Sequence, residues 1–177
     1  PIQFSKYATH ILKYKIKSYL EIGVAAGGTF TFLTEYLENK GDLKLSHAID
    51  IAPAGETFRG GPNIYTEKFK KWLSEKKIAQ FIQLNSKEED LILDNYDLIM
   101  IDGDHSYEGV KKDFEKWKNH SKIFVFHDIV NMKTPGVGKF WSELKKEFSQ
   151  DAEVYEFTDQ YDDVDGTYMG IGLLELK

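Results

Sequence analysis

Segments with the apolar spacing of helices alternate with short apolar segments typical of β-strands along almost the whole chain of 177 residues. Each of the first five strand segments is followed by a helical one, and two strand segments close the chain without a helix between them. Such alternation predicts right-handed crossovers and a parallel sheet with helices on both faces. The closing pair predicts a hairpin with an antiparallel last strand. We therefore expect a Rossmann-like, doubly wound α/β fold with seven strands.

The predicted strands share short apolar sequences and cover residues 18–22, 45–51, 79–84, 96–101, 122–126, 152–157 and 168–176. The predicted helices share apolar residues three or four positions apart and cover residues 4–17, 29–39, 63–77, 86–93, 106–118 and 138–148. Ser86 and Glu89 form a capping box at the start of the fourth helix. We find no internal repeat or linker, so we expect one domain over residues 1–177. The first residue is Pro1 rather than Met, which leaves open that this domain is cut from a longer chain.

The composition excludes several classes of protein. The 23 Lys and Arg residues against 29 Asp and Glu residues give a formal net charge of −6, whereas a nucleic-acid binder carries a basic face. The absence of Cys excludes disulfides, Cys-based zinc sites and Cys nucleophiles. No apolar segment approaches the roughly 20 residues of a membrane span, and no signal peptide opens the chain. We expect a cytoplasmic protein that binds neither nucleic acid nor membrane.

Acidic residues follow four of the first five predicted strands, namely Glu21, Asp50, Asp102 and Asp128. In a doubly wound sheet, ligands bind in the crevice beyond the carboxyl ends of the strands. A carboxylate at a buried strand end costs solvation free energy unless it is paired or liganded. Asp50 alone is equally well explained as a solvated acid, but four acids at one edge predict a binding site.

The loop over residues 21–28 follows the first strand and opens a helix. Its Gly and Ala residues let the backbone approach a ligand closely. Its spacing is G-x-x-x-G-G instead of the G-x-G-x-x-G of dinucleotide sites, because Ala25 replaces the second glycine. Glu21 would repel a pyrophosphate but suits the cationic methionine end of S-adenosylmethionine. The sign of this charge therefore favours S-adenosylmethionine over NAD.

This segment resembles the first motif of the class I S-adenosylmethionine-dependent methyltransferases, and the likeness extends over essentially the whole chain. The resemblance implies seven strands with the last antiparallel. It also implies cofactor contacts in the loops after the first four strands: Glu21, Gly23, Val24 and Gly27 along the methionine part, Asp50 and Ile51 at the ribose, Asn85 and Ser86 beside the adenine, and Asp102.

The segments 97–110, 126–129 and 135–137 resemble a smaller group of these enzymes, the macrocin-type O-methyltransferases and cephalosporin-hydroxylase-like proteins. By position, this resemblance implies a divalent metal, Mg²⁺ or Mn²⁺, held by Asp102, His127 and Asp128. An imidazole at position 127 favours softer ions such as Mn²⁺ or Zn²⁺, or no metal at all. Without metal, His127 would be a base or a capping side chain.

Methyl transfer to an aliphatic hydroxyl needs a base, a metal or both, since the pKa of the hydroxyl is far above neutrality. The resemblance implies that Asp104 is the general base. His105 and His127 are alternatives with a side-chain pKa closer to neutrality. Asp104 or Ser106 is also expected to cap the helix that follows, and this role competes with catalysis at Asp104.

The acceptor is predicted from composition alone. Three loops are candidates for a lid, over residues 52–62, 132–138 and 158–167. The last combines acids with aromatic residues, which suits a polyhydroxy acceptor such as a glycan or another small metabolite: Asp159, Tyr161, Asp162, Asp163, Asp165 and Tyr168. Two alternatives stay open, a nucleotide-dependent oxidoreductase and a binding domain without catalysis.

Overall fold

The main sheet of the protein has seven strands. The computed structural model describes residues 2–57, 60–88, 94–160, 166 and 168–177. The strands are β1 (Ser18–Ile22), β2 (Leu45–Asp50), β3 (Ala79–Gln83), β4 (Leu98–Ile101), β5 (Ile123–His127), β6 (Ala152–Phe157) and β7 (Ile171–Leu176). Their order in the sheet is β3–β2–β1–β4–β5–β7–β6. Strands β1 to β5 are parallel, and β7 is antiparallel to both β5 and β6. The predicted fold class is confirmed.

Helices cover both faces of the sheet. They are α1 (Ile2–His10), α2 (Gly28–Lys40), α3 (Thr66–Glu75), α4 (Tyr107–Trp117) and α5 (Pro135–Glu147). Alternate residues of a strand point to opposite faces. Tyr19 of β1 therefore packs with α1, α2 and α3 in one apolar cluster, and Leu20 packs with α4 and α5 in another. Among the described helices, none is long and apolar enough to cross a membrane.

Several boundaries differ from the prediction. The first helix ends at His10 and continues as a 3-10 turn over Ile11–Lys13. A pair of two-residue strands, Glu56–Thr57 and Gly61–Pro62, occupies the predicted loop 52–62. The last helix starts three residues early, at Pro135, because proline is tolerated in a first helical turn, where its missing N–H has no partner to lose.

Only the first three residues of the helix predicted over 86–93 lie in the described part of the chain. Residues 89–93 lie outside the described part of the chain, and so does the Glu89 half of the predicted capping box. The preceding residues form a turn in which the Glu88 amide donates to the Asn85 carbonyl at 3.0 Å. The hydroxyl of Ser86 donates to Asp113 on α4.

The last strand begins at Ile171 and not at Tyr168. Met169 and Gly170 have φ angles of 56° and 83°, in the left-handed region, which interrupts a strand. The Val130 amide donates to the Met169 carbonyl at 3.0 Å, so the segment after β5 is joined to the start of β7. This contact holds the carboxyl end of β5 beside the amino end of β7, where the predicted site lies.

Candidate active site

A cleft of about 660 Å³ opens at the carboxyl ends of β1 to β4. Eight residues of its lining are among the predicted site residues: Gly23, Asp50, Ile51, Asn85, Ser86, Asp102, Asp104 and His105. The structure thus brings together residues from four separate loops. Seven further lining residues were not among the predicted site residues: Ile22, Ala25, Ile49, Leu84, Lys87, Gly103 and Asp113.

The first loop passes close to the loop after β4. Gly23 has a φ of 82°, and a Cβ atom there would lie 2.3 Å from the Cα atom of Gly103. Gly27 has a φ of 83°, and a Cβ atom there would lie 2.3 Å from the ring of Phe69. Both positions therefore require glycine for steric reasons. Gly27 and the buried Val24 belong to this loop but do not line the cleft.

Asp50 fixes the conformation of the first loop. Its Oδ2 atom accepts hydrogen bonds from the amides of Val24 at 2.8 Å and Ala25 at 2.9 Å, and its Oδ1 atom accepts one from Ala52 at 2.9 Å. A carboxylate has about four acceptor positions, so one remains for a ligand in the cleft. This acid is therefore a structural part of the cleft wall and not a freely solvated side chain.

Glu21 lies away from the position predicted for it. It shares a strand face with Tyr19, so its side chain points beneath α1 and α2, where it is 1% exposed. The Tyr19 hydroxyl donates to Glu21, and burial raises the pKa of the Glu21 carboxyl well above its usual range. The Glu21 side chain does not line the cleft described above. It therefore lies beneath the cleft, without direct contact with the methionine part of a cofactor bound there.

Two acids and two histidines form a cluster at the ends of β4 and β5. The His105 Nε2 atom lies 3.1 Å from Asp102 Oδ1, and the His105 Nδ1 atom lies 3.6 Å from Asp128 Oδ2. The His127 Nδ1 atom lies 3.3 Å from Asp102 Oδ1 and 3.3 Å from Asp128 Oδ1. Asp128 has a φ of 66°, an uncommon conformation for a residue other than glycine. The predicted acids and histidines are thus in direct contact.

The cluster favours the charged forms of His105, His127 and Asp128. Burial lowers the pKa of His127, but the carboxylates of Asp102 and Asp128 outweigh this and raise it to about 10. The bond to Asp102 raises the pKa of His105. Burial raises the pKa of Asp128, but the imidazole of His127 dominates and lowers it. The raised pKa favours the cationic form of His127, which balances part of the negative charge of the two acids.

Asp104 lies outside this cluster, on the wall of the cleft. Its Oδ1 atom accepts from the Ser106 amide at 3.0 Å, and its Oδ2 atom accepts from Lys87 Nζ at 2.9 Å. Partial burial raises the pKa of Asp104, but these bonds outweigh it and lower the pKa to about 2. Such a carboxylate is a weak base. Ser106 caps α4, since its hydroxyl accepts from the Gly109 amide at 3.0 Å.

The cluster also fits a divalent cation. Asp102, His105 and Asp128 each offer one ligand atom, and these three atoms lie within 4.8 Å of one another. The prediction named His127 where the structure gathers His105. Two carboxylates with one imidazole suit Mn²⁺ better than Mg²⁺, which prefers oxygen ligands.

A Rossmann-like sheet with a glycine-lined cleft and an acid–histidine cluster at its carboxyl edge defines a protein that binds a nucleotide-like cofactor. The family model described as a methyltransferase domain matches residues 20–129, which run from within β1 to beyond the end of β5 and include all four residues of the cluster. The chain therefore belongs to this methyltransferase family and is an S-adenosylmethionine-dependent methyltransferase. The predicted family is confirmed, and the oxidoreductase alternative is set aside.

Solved structures share the fold at low sequence identity. An O-methyltransferase from Bacillus cereus in complex with S-adenosylhomocysteine has a TM-score of 0.64 and 14% identity, over 99% of this chain and 81% of its own. The N-methyltransferase NodS from Bradyrhizobium japonicum has a TM-score of 0.61 and 13% identity, over 98% and 96%. The small RNA methyltransferase HEN1 has a TM-score of 0.66 and 14% identity, over 98% of this chain and 24% of its own. No curated protein matches the sequence.

These neighbours share a fold across oxygen, nitrogen and RNA methylation, so the fold alone does not select the acceptor. The expectation that the chain binds no nucleic acid rests on its negative net charge, and the likeness to HEN1 gives that expectation no support.

Proposed function

We propose that this methyltransferase transfers the methyl group to a hydroxyl of a small molecule, a sugar or another metabolite. The observation that carries the proposal is the position of His105. Its side chain lines the cofactor cleft, and both of its ring nitrogens face carboxylates of the cluster. A base at this point is within reach of an acceptor oxygen placed beside the sulfonium methyl group of the cofactor.

In the proposed reaction, the acceptor oxygen attacks the methyl carbon in line with the carbon–sulfur bond. That bond breaks, S-adenosylhomocysteine is released, and the hydroxyl proton passes to His105. The Nε2 atom of His105 makes the shorter of its two carboxylate contacts, 3.1 Å to Asp102. The Nδ1 atom of His105 is therefore the one that takes the proton in this proposal. The carboxylates of Asp102 and Asp128 stabilise the imidazolium that forms. Asp104 has no part in this proposal, because its low pKa disfavours proton uptake.

The cleft residues hold the cofactor in this proposal. The free acceptor position of Asp50 receives a ribose hydroxyl, Ile51 and Leu84 provide apolar contact for the adenine, and Asn85 borders it. Gly23 lets the backbone approach the methionine part. Glu21 makes no direct contact with the cofactor in this proposal, because its carboxyl is buried beneath the loop.

A divalent cation is part of the proposal as an alternative to His105 acting as the base. Asp102, His105 and Asp128 would hold it. When bound, the ion would lower the pKa of the acceptor hydroxyl as a Lewis acid. In that state, His105 is a ligand, and His127 remains the cation that balances the acids. Chelation by EDTA followed by addition of Mn²⁺ or Mg²⁺ decides between the two, since activity that survives chelation assigns the proton to His105.

Thermal shift tests the cofactor assignment first. S-adenosylhomocysteine at a hundredfold excess over its Kd is expected to stabilise the protein by roughly 2.7 kcal/mol, and NAD is not. Stabilisation by NAD alone contradicts the proposal. Transfer of a radiolabelled methyl group to a panel of hydroxyl, amine and RNA acceptors then tests the chemistry, and labelling of RNA or amines without labelling of hydroxyls rejects O-methylation.

A further inference from the structure

A second pocket of about 360 Å³ lies on the other side of the acid–histidine cluster, between the helix face and the start of β7. Phe4 of α1 and Phe32 of α2 form one wall, and Met169 and Ile171 form another. The side chain of His127 completes the lining. The described residues that line this pocket lie outside the three loops predicted as a lid, and this pocket was not expected from the sequence.

The cluster separates this pocket from the cofactor cleft. His127 lines the pocket and Asp102 lines the cleft, and the two side chains are 3.3 Å apart. Methyl transfer requires donor and acceptor to meet on opposite sides of the transferred carbon. The pocket and the cleft lie on opposite sides of the cluster that contains the proposed base, His105.

Residues with strained backbone conformations occur in the cleft, in the acid–histidine cluster and in the pocket. In the described part of the chain, three residues other than glycine have positive φ angles: Ala25 at 46°, Asp128 at 66° and Met169 at 56°. Ala25 lines the cleft, Asp128 belongs to the cluster, and Met169 lines the pocket. Such conformations cost free energy and cluster at functional sites. Strain at Met169 therefore supports a functional role for the pocket.

Among the described residues that line the pocket, polar groups are few. Both N–H groups of the Gln3 side chain are already used, because its Nε2 atom donates to the carbonyls of Tyr168 at 3.2 Å and Thr158 at 3.3 Å. Its Oε1 atom accepts from the Gly170 amide at 3.0 Å. Thr29 and His127 are the remaining polar side chains of the lining. A ligand with many hydroxyls would lose hydrogen bonds to water here without replacing them.

The apolar walls suit a ring or a branched chain. The rings of Phe4 and Phe32 lie 5.2 Å apart in an edge-to-face arrangement, and Phe32 is 47% exposed although it is a large apolar side chain. From these observations we propose that the pocket binds the acceptor, and that the acceptor is a small molecule whose hydroxyl is carried by an apolar body of one or two rings. This inference rests on the proposed O-methylation and departs from a free sugar.

Two probes with the same six-carbon ring test it. Calorimetry of the complex with S-adenosylhomocysteine compares 1,2-cyclohexanediol, which has an apolar ring edge, with inositol, which does not. We expect the diol to bind at least tenfold more tightly. Phe32→Ala should weaken diol binding roughly tenfold through lost apolar contact. Leu12→Ala, which removes an exposed apolar side chain outside both cavities, is the matched control and should leave it unchanged.

The outcomes separate this inference from the proposed function. Loss of S-adenosylhomocysteine binding in the wild type contradicts the assigned cofactor and thus the function itself. Intact S-adenosylhomocysteine binding without diol binding overturns only the acceptor inference. Equal or tighter binding of inositol, or a diol affinity that Phe32→Ala leaves unchanged, overturns it as well.

Discussion

The Nε2 atom of His105 lies 3.1 Å from the Oδ1 atom of Asp102, three residues earlier in the same loop. Asp102 follows β4 directly, and its amide donates to the carbonyl of Ile22 in β1 at 2.8 Å. The carboxylate is therefore held by the sheet, and it orients an imidazole that is one third exposed to the cleft. A base on a rigid support of this kind is suited to proton transfer.

Replacement of this base is expected to affect turnover and not cofactor binding. His105→Gln removes the proton acceptor, so we expect kcat to fall by roughly 10²–10⁴-fold, the usual contribution of general base catalysis. The Kd of S-adenosylhomocysteine should change less than threefold. His120→Gln is the control, since this histidine precedes β5 at the opposite edge of the sheet. A kcat within threefold of the wild-type value would exclude His105 as the base.

Substitution of Asp50 is expected to lower both the stability of the protein and its affinity for the cofactor. Asp50→Ala leaves the amides of Val24, Ala25 and Ala52 without their acceptor. Hydrogen bonds to a charged group contribute roughly 1.5–3 kcal/mol each, partly recovered when water reaches the amides. We expect urea denaturation to show a loss of about 2–4 kcal/mol, with S-adenosylhomocysteine affinity lowered at least tenfold. The exposed Asp42→Ala is the control and should stay within about 0.5 kcal/mol.

The sheet could be predicted because its signals are local. Apolar strand segments, helical spacing and the acids at four of the first five strand ends are all visible in the sequence, and together they give the strand count and the edge that carries the site. The antiparallel β7 followed from the missing helix between the last two strands. The boundaries of the helices and strands were less predictable. The start of β7, for example, depends on the left-handed conformation of Met169, which the residue type does not predict.

Side-chain partners within the site depend on contacts that no local pattern encodes. Glu21 could be placed on β1, but its burial beneath α1 follows from the face that it shares with Tyr19. Asp104 pairs with Lys87, which lies in the loop after β3. Ser86 of that same loop pairs with Asp113 of α4. Both pairings form only when the fold brings the segments after β3 and β4 together. The pocket lined by Phe4 and Phe32 likewise needs α1 packed against α2.

The glycines of the first loop differ in what they tolerate. Gly23→Ala places a Cβ atom 2.3 Å from Gly103 Cα at a φ of 82°, where both partners are backbone. We expect a loss of about 2–4 kcal/mol in thermal or urea unfolding, from overpacking and backbone strain combined. Gly28→Ala is the matched control, because nothing lies within 4 Å of its Cβ position and it begins α2. Its stability should be equal or up to about 1 kcal/mol higher. Equal stability of the two variants would contradict the close approach of the loops.

Asp113 is expected to make stability depend on pH. This carboxyl is 1% exposed, its Oδ1 atom accepts from Ser86, and its Oδ2 atom has no hydrogen-bond partner among the described residues. Burial raises its pKa above the usual 3.8. The native state therefore holds this proton at pH values where the unfolded chain has lost it, and the free energy of unfolding falls as pH rises from the unfolded pKa through the native one.

Asp113→Asn cannot titrate, so urea denaturation from pH 4 to pH 7 should show the variant gaining stability relative to the wild type as pH rises. The exposed Asp42→Asn should give a difference that does not vary over this range. A flat difference for Asp113→Asn as well would mean that the carboxyl titrates normally, and that a partner satisfies its second oxygen.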